Sequence, residues 1–187
     1  MRKITLMVTL LAGVAATEAQ AQAPAPTPSG DAALVASAMQ AAPKSIAEGA
    51  TIVAMGADHK MRTLRQGTNG WTCMPDNPDS PGPDPMCMDA NALAWAQAWI
   101  GKQAPPADRI GFMYMLAGGT DASNTDPYAT GPAAGNAWIE TGPHVMIVGP
   151  AAMRAMQGYP REAKPDTTKP YVMWPGTPYE HLMIPVR

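Results

Sequence analysis

Residues 110–116 read IGFMYML, seven positions without a charge and without any alternation of apolar and polar side chains. So short and uniformly apolar a run predicts a central strand covered on both faces. Working outward, ATIVAM (50–55), MRTLR (61–65) and WTC (71–73) upstream, and HVMIV (144–148), YVMW (171–174) and EHLMIPV (180–186) downstream, are further β-rich runs. Asn69-Gly70, between MRTLR and WTC, is a strong hairpin signal, so the first three runs read as a meander. Helical spacing is found at Leu34, Val35, Ala38, Met39 and Ala42, after a cap at Asp31 and before Pro43. Ser45-Ile46-Ala47-Glu48 is a capping-box pattern for one further turn. Ala92, Trp95, Ala96, Trp99 and Ile100 form an apolar helical face between a cap at Asp89 or Asn91 and Gly101. AAMRAMQ (151–157) adds a short helix. The expected fold class is α+β, a mostly antiparallel sheet of about six or seven strands with two or three helices on one face.

The 187-residue chain opens on Met1-Arg2-Lys3, an apolar stretch ITLMVTLLAGVAA, and the small-residue pattern Ala19-Gln20-Ala21, the three parts of a secretory signal. Cleavage after Ala21 avoids leaving Pro24 at the new terminus, and the apolar run is too short to span a bilayer. The expected division is 1–21 signal peptide, 22–30 Pro/Ala-rich spacer, and 31–187 a single globular domain with a core of its own. Such a protein resides in the periplasm or outside the cell. Formal net charge is −2, and lysines and arginines form no run, so nucleic acid and anionic membrane are not expected partners. No protein partner is indicated. Cys73 and Cys87 are the two cysteines. In an exported chain they read as one disulfide, closing a loop of about 15 residues and stabilising the fold by about 3 kcal/mol on the chain-entropy account.

The chain has three histidines, and each is followed two residues later by a methionine: His59 and Met61, His144 and Met146, His181 and Met183. Alternate residues of a strand share a face, so His144 and Met146 point one way, as do His181 and Met183. If HVMIV and EHLMIPV are neighbours in suitable register, four side chains meet across about 4.5–5.5 Å Cβ spacings. Two imidazoles and two thioethers suit Cu(I), because thioether sulfur is soft and imidazole is acceptable to copper. The competing reading is a methionine-lined core packed on the Trp95 and Trp99 helix, with buried histidines satisfied by backbone or by Tyr179 and Glu180. His59 sits in an expected hairpin turn and stands apart from the pair.

Two further chemistries are open. Asp121, Ser123, Thr125 and their neighbours supply oxygens at alternating positions, as a calcium loop would, but Asp126 and Pro132 stand where an EF-hand needs glycine and glutamate; an Asx/ST-turn ladder explains them equally. Nucleophile-elbow, zinc-protease, phosphate-loop and dinucleotide motifs are missing, so no catalytic residues are assigned. A hydrolase or small-ligand site around the 117–135 loop would use Glu140 or Asp121 with His144 or His181, beside Tyr128, Trp138 and Tyr179.

GTNGWTCMPDNPDSPGPDPMC, GGTDASNTDPYAT, PHVMI and GTPYEHLMIPV together resemble a family of exported bacterial proteins to which no activity is attached. The resemblance spans most of the mature chain and implies one secreted domain. It carries no functional residues to transfer.

Overall fold

The structure, a computed structural model, describes residues 29–56 and 60–186. The proposed signal and most of the spacer, together with His59, lie outside the described residues. Along the chain come α1 (Asp31–Ala38), α2 (Lys44–Ala47), β1 (Thr51–Met55), β2 (Met61–Arg65), β3 (Thr72–Met74), β4 (Met86–Met88) and α3 (Ala90–Ile100). They are followed by β5 (Gly111–Met115), β6 (Ala122–Ser123), β7 (Trp138–Ile139), β8 (His144–Val148), α4 (Pro150–Ala155), β9 (Tyr171–Met173) and β10 (His181–Pro185).

Eight strands make one sheet in the order β2-β1-β3-β4-β5-β8-β10-β9, and β6 pairs with β7 apart from it. The α+β class and the mostly antiparallel sheet agree with expectation. The strand number exceeds six or seven, because Met86–Met88, hidden at the end of a proline-rich loop, extends the sheet between β3 and β5. The expected meander is also corrected. β3 pairs with β1, in parallel, rather than with β2. Asn69-Gly70 does turn the chain, with Gly70 at φ +78°. Yet Asn69 donates its side-chain N–H to Ile46 O, and Thr68 N–H donates to Gly49 O. Those bonds carry the chain past β1 to its other side.

Helices cover both faces, not one. Successive strand residues point to opposite faces. In β4 this sends Cys87 to a cluster with Ala38 of α1 and with Ala41 and Ala42 just after it, and Met88 to a cluster with α3 residues Ala92, Trp95 and Ala96. At the far end α4 places Met153 on Val172 and Leu182. α3 begins where it does because Asp89 caps it, accepting from Ala92 N–H at 2.7 Å. A Cβ at Gly111 would clash with the backbone of Ala92, so the glycine lets the helix sit directly on β5. β5 is central, as IGFMYML implied, but covered fully on one face only: Met113 and Met115 are buried while Phe112 is 44% exposed. At the N-terminus Gly30 holds the cap position without a side-chain bond, and Asp31, inside the helix, pairs with Arg62 at 2.6 and 2.9 Å.

Cys73 and Cys87 form the expected disulfide, at directly paired positions of β3 and β4. No helix among the described residues is long and apolar enough to cross a membrane.

Candidate metal centre

β8 and β10 are antiparallel neighbours, and their register sets the site. Met146 stands directly opposite Met183, and His144 opposite Pro185. One step beyond the paired positions, His181 comes level with Val148. β5 continues each level on one side, with Met115 beside His144 and Met113 beside Met146. β9 continues them on the other, with Tyr171 beside Met183 and Met173 beside His181. The result is a buried grid on the α3 face of the sheet. His144, Met146, His181 and Met183 are 4%, 8%, 1% and 2% exposed.

The four predicted side chains therefore share a face and adjacent strands, but not one level. The methionines form a direct cross-strand pair. The histidines lie at opposite corners, four residues apart along the strand direction, about 13 Å of strand rise. Each histidine is the diagonal neighbour of the methionine on the other strand, about 7–8 Å away at Cα.

Both imidazoles are oriented from behind by backbone. His144 Nδ1 lies 2.7 Å from Gly142 O, and His181 Nδ1 lies 2.9 Å from Tyr179 O. A carbonyl can only accept, so each Nδ1 carries the proton and each Nε2 keeps a lone pair. This is the arrangement found behind metal-bound histidines. It satisfies half of each ring and leaves the rest to the site. His181 Nε2 is buried with no hydrogen-bond partner, and so is the hydroxyl of Tyr171. Burial pushes the His181 pKa down to about 4, partly opposed by the Tyr179 carbonyl and helped by the neighbouring His144. Burial likewise lowers His144 against the pull of Gly142 O. Both rings are neutral near pH 7 and need lose no proton to bind a metal.

The packing expected of a methionine-rich core is present too. Met88, Met113, Met115, Met146, Met173 and Met183 share one cluster with Trp95 and Trp174. The rings of Trp95 and Trp174 meet His181 edge-to-face at 5.2 and 4.9 Å. Two indoles of this cluster, those of Trp174 and Trp99, also fasten the long loop: Trp174 Nε1–H donates to Ser123 O at 2.9 Å, and Trp99 Nε1–H to Pro127 O at 3.2 Å.

That loop is organised by its own side chains. Ser123 Oγ accepts from Thr125 N–H and Asp126 N–H, and Asn124 is turned inward, donating to Glu162 O. One member of the alternating oxygen series, Ser123, is thus spent on the turn, and Asp126 accepts from Tyr128 N–H. Among the described residues no three His, Cys, Asp or Glu side chains form a metal-binding group, so an ion on the sheet face would depend on thioether sulfur. Tyr128 and Tyr179 meet edge-to-face at 6.0 Å. A hollow of about 360 Å³ lies elsewhere, between Pro105, Met153, Arg154 and Pro178, and takes in neither a histidine nor the 117–135 loop.

A second hollow of about 10 Å³ adjoins His144, Met183 and Tyr171, room for one water-sized occupant. Tyr171 escaped sequence reasoning. Its parity with Met173 was legible, but its level beside Met183 depends on pairing between distant segments. Gly119 is a second such residue: a Cβ there would lie 2.8 Å from His144 Cε1, so the glycine lets the loop backbone cover the ring.

No protein-family model, curated protein or solved structure matches this chain.

Proposed function

We propose that this is an exported binding protein that holds a soft monovalent metal ion, Cu(I), on the row of donors formed by His144, Met146, His181 and Met183. The observation that carries the reading is the pair of histidines flanking a directly opposed methionine pair, each with Nδ1–H spent on a backbone carbonyl and so with its lone pair on Nε2. His181 Nε2 has no partner in a core where an unsatisfied polar atom costs about 1–3 kcal/mol. A soft ion would supply that partner. Thioethers and neutral imidazoles favour Cu(I) over Zn(II) or Ca(II), whose sites draw on thiolate or carboxylate. The leader-like Met1–Ala21 stretch and the disulfide support export, since disulfides persist in oxidising compartments. Membership of the exported family whose motifs the chain resembles is part of the same proposal.

A structural or partner-binding module is the second reading, favoured by the tryptophan packing around His181. A Cu(I) competition titration against a chromophoric chelator, with His181→Ala beside wild type, separates the two. One-to-one binding tighter than micromolar, lost in the variant, is expected. A wild type that leaves all Cu(I) on the chelator, with a variant that only melts earlier, would make the face a core and nothing more.

A further inference from the structure

The register that brings the four donors together also orders them. His144 and Met183 border the small hollow; Met146 and His181 do not. The hollow reaches the surface past Gly142, which is exposed, and past half-buried Thr167 and Pro185. The other end of the row is closed. His181 is 1% exposed and sits edge-on to the rings of Trp95 and Trp174. The two imidazoles belong to levels about 13 Å apart along the strands, and the Met146–Met183 pair stands between them.

We propose that one soft monovalent ion uses this row as two stations, an outer one at His144 and Met183 where it arrives, and an inner one at Met146 and His181 where it comes to rest. This rests on the soft-metal reading above. The opposed thioethers are the step between stations, because each is the diagonal neighbour of the histidine across from it. Tyr171 belongs to the outer station. Its hydroxyl is buried without an acceptor in the wall of the hollow, placed to donate to the water or chloride that a soft ion carries in. At the inner station His181 Nε2 waits without a partner, and the ring lines neither the outer hollow nor the one beside Met153. Exchange of the ion with a small outside ligand then takes place at the His144 end, and retention at the His181 end.

The test uses the full chain with its disulfide formed and Ag(I) as a redox-inert probe. Tryptophan fluorescence in stopped flow reports arrival beside Trp95 and Trp174, and nitrogen-15 NMR of the imidazoles reports which histidine holds the ion at equilibrium. In wild type the His181 Nε2 resonance is expected to move at saturation with one Ag(I) per chain. His144→Ala and Tyr171→Phe should slow the fluorescence change tenfold or more while leaving that final shift in place. Thr167→Trp, which crowds the rim and touches no donor, should slow loading likewise, and covers the case of a His144 variant that does not fold. Equal loading rates in wild type and Thr167→Trp would overturn the two stations, as would both imidazoles shifting together in a single one-to-one complex. No Ag(I) binding by folded wild type would instead overturn the soft-metal reading itself, and the stations with it.

Discussion

At the residue scale the decisive group is the imidazole of His181. Burial holds its pKa at about 4, while the same ring in the unfolded chain titrates near 6.5. Above pH 6.5 both states are neutral and the stability is intact. Between 6.5 and 4 the unfolded chain takes up a proton that the folded chain refuses, so stability falls with falling pH. The full loss is on the order of 3 kcal/mol, by the free-energy value of a pKa unit. His144, shifted in the same direction, adds to it; Glu180, whose charge favours a protonated His181, works against it. Urea unfolding of metal-free protein from pH 7.5 to 4.5 should show this slope, and His181→Gln should flatten much of it. A wild-type curve that is level across the window would mean the ring is not held neutral. The His-x-Met spacing was legible along the chain, as was the shared face of each pair. The bonds that fix the tautomers were not, since they depend on how Gly142 and Tyr179 turn back towards the rings.

At the scale of elements, Asp89 joins a helix to the sheet. Its Oδ1 caps α3 at Ala92 N–H, its Oδ2 accepts from Phe112 N–H at 3.1 Å, and its own N–H donates to Phe112 O at 3.1 Å. Asp89→Ala removes the cap and a bond to the strand end together, and should cost about 2 kcal/mol, the upper part of the range for a cap alone. Chemical denaturation measures it; a loss under about 0.5 kcal/mol would show water replacing the carboxylate at both places. The cap was readable because it is local: an Asp before an apolar helical face. Asn69-Gly70 misled for the opposite reason. The turn chemistry was right, but the strand that follows pairs with β1 rather than β2, because Thr68 and Asn69 are bonded to the Gly49 and Ile46 carbonyls before β1, contacts between segments about twenty residues apart. The 117–135 loop similarly has no periodicity to read, and owes its order to Ser123 and to two indole N–H donors from distant elements.

At the scale of the whole molecule, the methionine face is a core and, on the proposed reading, a ligand field as well, and the two demands can be separated. Replacing Met146 and Met183 together by leucine conserves volume and should cost less than about 1.5 kcal/mol per site, a fall of about 10 °C in Tm at most, measurable by calorimetry. The same double variant should lose Cu(I) affinity by a hundredfold or more, because leucine offers no sulfur. Equal Cu(I) affinity in the two proteins would remove the thioethers from the site. What is local or nearly so could be read along the chain: the α+β class, the span of most strands, the α3 cap, the pairing of the only two cysteines, and which residues of each strand share a face. Alternation is a property of one strand and needs no partner. The strand order, the helices on both faces and the level of each residue within the grid emerge in three dimensions alone. Those depend on pairings between segments far apart in the chain, whose register is set by packing both faces at once. That is why the sequence could name His144, Met146, His181 and Met183, while three dimensions alone put Met146 against Met183 and stood the histidines at opposite ends of the row.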